Sequence, residues 1–195
     1  MLAFGGVLAI NSQLGVSPVN LIQLSFSHSM GISLGLAAFY TFVIYVVAQI
    51  ILLRKAFNPI QFLQIIFAAL FGHFISFFNS VIQLGESLMS VRIMLVFMSL
   101  IFIAIGIVLT VTPRLIPMAP DGIAVAIATK LEVDFGKGKI IFDTIIVLLS
   151  IIILFLSASG FEDIGIGTIL SAIFVGRIVL FINKNFKRKL ENILL

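Results

Sequence analysis

Val91-Arg-Ile-Met-Leu-Val-Phe-Met-Ser-Leu-Ile-Phe-Ile-Ala-Ile-Gly-Ile-Val-Leu-Thr-Val111 carries no charge beyond Arg92, and it runs straight into Pro113-Arg-Leu-Ile-Pro117-Met-Ala-Pro120-Asp121. The first stretch is long enough to cross a hydrocarbon core of about 30 Å as a helix. The second cannot continue it, because three prolines remove backbone donors and push the residues before them out of helical geometry. The next segment, Asp121–Leu131, is helix-like but reaches only about 15–20 Å at ~1.5 Å per residue. A full span, a break and a half-length helix decide how the rest of the chain is read.

The same grammar recurs. Apolar runs cover Leu34–Leu53, Ile60–Gln83, Ile140–Ser157 and Gly165–Asn183, and a shorter one, Met1–Leu14, opens the chain. Pro18–Met30 is a second short helix behind a break, Gly15-Val-Ser-Pro18. Both short pieces have a capping side chain near the start, Asn20 and Asp121. Composition agrees: 61% of the 195 residues are hydrophobic and 10% charged, with a mean hydropathy of +1.28. Soluble domains are about a quarter charged. Surface this apolar is tolerable only in lipid. The expected fold is therefore all-α, a polytopic transmembrane bundle of about six spans plus two short re-entrant or broken half-helices. There is no cysteine, which excludes disulfides and thiol chemistry. The basic residues sit at segment ends, a pattern of membrane orientation and not of nucleic-acid binding.

The two halves resemble each other. A shift of 101 residues lays Gly5, Asn20, Ile22, Gly35 and Ile44 on Gly106, Asp121, Ile123, Gly136 and Ile145. After an insertion around Gly160–Asp163 a shift of 104 lays Ala68, Gly72, Phe77 and Asn79 on Ala172, Gly176, Phe181 and Asn183. Residues 1–83 form a first repeat of a single membrane domain, 91–183 a second, and 184–195 a basic cytoplasmic tail. The counterpart of the helix from Val91 would begin ahead of Met1, so the first helix is expected to be the shorter. Lys184, Lys187, Arg188 and Lys189 belong inside by the positive-inside rule. If both short helices are re-entrant, Arg54, Lys55, Arg114, Lys130, Lys137 and Lys139 also fall inside, with Glu162, Asp163 and Arg92 outside. Three crossings per half make the repeats inverted, a layout of secondary transporters.

In such proteins half-helix ends meet near the midplane and form the substrate site. The candidate substrate-binding residues are Ser17, Asn20 and Asp121 at those ends, with His73, Asp143 and Arg177 along the spans. Asn20 and Asp121 serve equally well as plain helix caps. His73 and Arg177 occupy matching places after Gly72 and Gly176, and His73 reads either as a solute or proton-coupling group or as a buried, hydrogen-bonded core histidine. A charge at the bilayer centre costs at least ~2.5–3.5 kcal/mol, so Arg177 is expected to face the interior, beside Asp143 or Asp121, as an anion-binding group or a structural pair. Asp143 has an alternative partner in Lys139, one helical turn earlier. Gly165-Ile-Gly-Thr168 lacks the lysine of a phosphate loop and reads as close helix packing. No catalytic constellation, metal-spaced set or cofactor motif is apparent, so the expectation is of no enzyme, no cofactor and no metal.

Gly15-Val-Ser-Pro-Val-Asn20, Gly31-Ile-Ser-Leu-Gly35, Pro120-Asp-Gly122, Phe135-Gly-Lys-Gly-Lys139 and Gly165-Ile-Gly-Thr168 through Gly176, taken in this order, resemble the bacterial YczE/YyaS/YitT membrane proteins, closest to the YczE-like branch. The resemblance covers nearly the whole chain and implies a multi-pass protein of the bacterial cytoplasmic membrane, with both termini cytoplasmic. That family usually has Asp where Asn20 stands and a Gly-rich approach where Pro117-Met-Ala-Pro120 stands. The expected function is a small-solute transporter or permease working by alternating access, its solute anionic if Arg177 faces it. The alternative is a non-transporting membrane subunit that captures a substrate for, or assembles with, another membrane complex. Expected partners are the lipid bilayer, a small-molecule solute, and a second copy or a partner complex, with no nucleic acid.

Overall fold

A computed structural model describes residues 1–84, 88–111, 116–157 and 163–194, excepting the side chains of Val111 and 186–194. Pro113, Arg114, Leu115 and Glu162, and the side chains of Lys187, Arg188 and Lys189, lie outside the described residues. The described chain is helical throughout: α1 (Leu2–Ser12), α2 (Pro18–Met30), α3 (Leu34–Leu53), α4 (Gln64–Val81), α5 (Met89–Val111), α6 (Ala119–Leu131), α7 (Phe135–Leu156) and α8 (Ile166–Leu194). Short 3-10 turns at Arg54–Ala56 and Pro59–Leu63 join α3 to α4. Five stretches are long and apolar enough to span a bilayer: Leu34–Ala56, Pro59–Val81, Met89–Thr110, Phe135–Leu156 and Ile166–Asn185. Their outer faces carry exposed Ile44, Ile51, Phe97, Leu148, Phe155 and Phe181, side chains that only lipid would leave unburied at no cost. The protein is a multi-pass helical membrane bundle.

Local chemistry sets the two short helices. Ser17 caps α2 by accepting from the Asn20 amide at 3.4 Å, and Pro18 fills the first turn, where its missing N–H costs nothing. The helix closes on Gly31 at φ 64°, a left-handed conformation natural to glycine. Helix α6 has the same 13-residue length and a proline in its first turn, but Met118 gives it no side-chain cap. It closes on Glu132 at φ 53°. Both helices begin and end 101 residues apart, as do the starts of α3 and α7.

Packing follows the same correspondence. α2 packs on α7 as α6 packs on α3, α2 on α3 as α6 on α7, α1 on α4 as α5 on α8, and α3 on α4 as α7 on α8. α1 and α5, the first helices of the two halves, pack against each other. There Gly5 lies against Ile103, and Gly106 against Leu2, one contact met from each side. Where α3 meets α4, a Cβ on Gly72 would stand 2.7 Å from the Gly35 carbonyl; where α7 meets α8, a Cβ on Gly176 would stand 2.7 Å from that of Gly136. Glycine lets these backbones touch. Gly165 and Gly167 do likewise beside Leu14 and Gly15, and the Gly167 amide donates to the Leu14 carbonyl at 2.8 Å.

Several boundaries differ from the sequence reading: α4 starts at Gln64 behind a 3-10 turn and not at Ile60, and α8 runs on past Asn183 to Leu194. α7 begins at Phe135 and not near Ile140, so Phe135-Gly-Lys-Gly-Lys139 is its first turn and a half. Gly136 and Gly138 are buried against α8 and α6, and this packing outweighs glycine's low helix propensity of about 1 kcal/mol. Lys139 is thereby carried into the bundle.

Candidate functional site

The first turns of α2 and α6 open onto one cavity of about 50 Å³, lined by Ser17, Pro18 and Asn20 from one helix and by Pro120 and Asp121 from the other. By volume it holds about three or four waters. Lys139 and Asp143, one helical turn apart on α7, complete its polar wall, and Leu2, Phe42, Phe71, Ile103, Ile107 and Val175 form the apolar remainder. A much larger groove of about 1120 Å³ lies between α4, the end of α5 and the segment before α6. Its walls are mostly apolar, as suits acyl chains, and the charged side chains are in the small cavity instead.

Those charges are Asp121, Lys139 and Asp143, each at most 3% exposed. The Lys139 ammonium is 2.9 Å from Oδ1 of Asp143 and 3.7 Å from Oδ1 of Asp121. Oδ1 of Asp143 meets no hydrogen-bond geometry despite its closeness, so the contact is an ion pair and not an aligned hydrogen bond. The ammonium also sits 5.2 Å from the centre of the Phe142 ring. Burying such ions costs several kcal/mol each, and only mutual attraction offsets it. With both carboxylates ionised, one ammonium would leave the group one negative charge in excess.

Polar groups around it hold the start of α6. Gln49 on α3 donates through Nε2 to Gln64 Oε1 at 2.9 Å and to the Ala119 carbonyl at 3.1 Å, and Gln64 donates back at 3.2 Å. Gly122 gives the Gln49 amide its room. Three buried side chains still carry hydrogen-bonding atoms without a partner among the described residues: Asn20 Nδ2, the Tyr45 hydroxyl and the Gln23 amide. Asn20 packs on Gly6 and lines the cavity directly.

Ser17, Asn20, Asp121 and Asp143 are thus brought together, and Asp143 takes Lys139, its alternative partner. His73 and Arg177 are not brought in. Both are exposed on the outside of the bundle, His73 edge-on to Phe74 at 6.2 Å and Arg177 5.8 Å from the Phe174 ring. Their registers explain it: Gly72 and Gly176 face inward to touch α3 and α7, and the next residue on a helix points about 100° away. Arg177 accordingly pairs with neither Asp143 nor Asp121; its long stem lets the guanidinium snorkel along the helix. His28, half-exposed near the end of α2, lies 3.6 Å from Asp163. Lys139, Gln49, Gln64 and Tyr45 join the site without having been marked for it by sequence. For Lys139 a signal exists in the i, i+4 spacing to Asp143; the glutamines and the tyrosine give none. Among the described residues no three His, Asp or Glu side chains gather as a metal cage.

No curated protein matches the chain, and no solved structure does. One family model matches, over residues 1–184. With its helices and buried charges, the chain belongs to DUF6198, a family of unknown function.

Proposed function

We propose that the protein is a small-solute transporter whose substrate site is the cavity between the starts of α2 and α6. The observation that carries this reading is the meeting of two half-length helices at a buried, charged cavity. Broken helices survive in a bilayer only where protein or a water-filled cavity surrounds them, and midplane sites of secondary transporters are built from such ends. Matching packing in the two halves supports an inverted repeat in which α2 and α6 re-enter from opposite faces. With α3, α4, α5, α7 and α8 spanning and the shorter α1 counted as the sixth crossing because it is the repeat counterpart of α5, both termini are cytoplasmic, and Arg54, Lys55 and Lys130 share that side. Alternating access then consists of the halves rocking about the α1–α5 contact. The likeness to the YczE-like branch supports a bacterial cytoplasmic membrane.

Uptake by the purified protein in liposomes tests the proposal. Accumulation of a solute that is lost in Asp121→Asn is expected. Binding without any uptake would instead favour a subunit that captures its substrate for another membrane complex. Cysteine labelling at position 54 and near the C-terminus should report the same face, and opposite faces would end the inverted-repeat reading.

A further inference from the structure

We infer that this cavity takes a small monovalent cation, an alkali metal ion or a compact ammonium, in exchange for one proton on Asp121. The inference rests on the transporter reading and adds the charge of the substrate and what moves against it.

The charge count comes first. Asp143 is compensated by Lys139 at 2.9 Å, whereas Asp121 stands 3.7 Å from the same ammonium. One ammonium cannot neutralise both carboxylates, and among the described residues no other cation lines the cavity. Arg177, the group that favoured an anionic solute, is on the outer surface. Every element around Asp121 can be checked. α7 contributes Lys139 and Asp143, and α3 contributes Tyr45, within electrostatic reach of Asp143. α2 contributes the neutral Ser17 and Asn20, while α1, α4, α5 and α8 contribute only glycine and apolar side chains. The excess negative charge is therefore offset only by the partial positive charge of the α2 and α6 starts, and by no second full cation among the described residues.

A charge offset only in part at this depth is expensive, so one positive equivalent accompanies Asp121 whenever the site is closed. A proton is one such equivalent, and a small cation is the other. In the exchange the Asp121 O–H bond breaks, the proton leaves to the solution from which the cation came, and the carboxylate pairs with that cation. Nothing is oxidised or reduced. The unpartnered Nδ2 of Asn20, at the matching place on α2, is a donor for the oxygen of a water or hydroxyl that travels with the cation. A divalent ion is disfavoured, since it brings two positive charges where only one carboxylate is uncommitted. A cavity of about 50 Å³ limits the guest to a few heavy atoms.

The test is proton release from the full chain in detergent, in weak buffer with a pH indicator. Chlorides of lithium, sodium, potassium, methylammonium, guanidinium and tetramethylammonium are added in turn. A saturable release of about one proton per chain is expected with at least one metal ion or small ammonium. The two groups of salts separate the two sources. Release should vanish in Asp121→Asn and return in Asp121→Glu. It should persist in Arg177→Gln, which removes a charge on the outer face of the bundle and leaves the cavity lining intact. Equal release from Asp121→Asn, with its elution profile unchanged, would overturn the inference, as would no release with any salt. Stabilisation by sodium salts of particular anions, lost in Asp121→Asn, would overturn the cation class while leaving the cavity as the substrate site. Absence of both release and ligand stabilisation, together with absent liposome uptake, would count against the transporter reading itself.

Discussion

The first and second halves of the molecule share a scaffold and divide the chemistry unequally. α3 and α7 start 101 residues apart and pack in matching ways. Where α7 carries Lys139 and Asp143, α3 carries Ala38 and Phe42; where α6 carries Asp121, α2 carries Asn20. All three buried charges therefore come from the second half, and the first supplies an apolar wall and neutral amides. The helix ends differ in the same spirit, with Gly31 closing α2 and Glu132 closing α6. The contrast teaches that the bundle is held by contacts both halves share, chiefly backbone approach at Gly35–Gly72 and Gly136–Gly176. Its charged site is an addition to one half only, and the stability of that addition depends on its own pairing.

The largest effect should come from breaking the charge balance. Lys139→Met leaves two buried carboxylates facing each other and should cost about 3–5 kcal/mol, read as a lowered melting temperature in detergent. Adding Asp143→Asn should recover most of it. If the single variant melts like the wild type, the three charges do not form one buried unit. Next come the shared contacts. Gly72→Val and Gly176→Val each force backbones apart and should cost about 1–3 kcal/mol. Equal losses would sharpen the correspondence between the halves, and a loss in one alone would break it.

A smaller effect belongs to the helix ends. Glu132→Gly relieves a left-handed non-glycine residue and should stabilise by about 1 kcal/mol, whereas Gly31→Ala should destabilise by a similar amount; paired melts measure both. Smallest of all, Arg177→Gln should leave ligand-induced stabilisation within about twofold of wild type in affinity, a shift of less than ~0.5 kcal/mol. A larger change would place Arg177 in communication with the cavity.

How much of this is legible in sequence depends on the range of the interaction. Span positions, the breaks before α2 and α6, and the placing of Asn20 and Asp121 at half-helix starts come from hydropathy and proline chemistry within a few residues. The inward assignment of His73 and Arg177 fails because a sound cost argument cannot supply the rotation of a helix. Lys139 reads from sequence as an end-of-helix partner one turn before Asp143, and only the burial of Gly136 and Gly138 against α8 and α6 carries it into the bundle.

The chain by itself determined that this is a helical membrane protein, where it crosses and where it is interrupted, because those properties add up locally along the backbone. Only the tertiary structure decided which side chains meet. Rotation of each helix is set by glycine contacts with partners far away in sequence, and those contacts turned Arg177 outward while they brought Lys139 between Asp121 and Asp143.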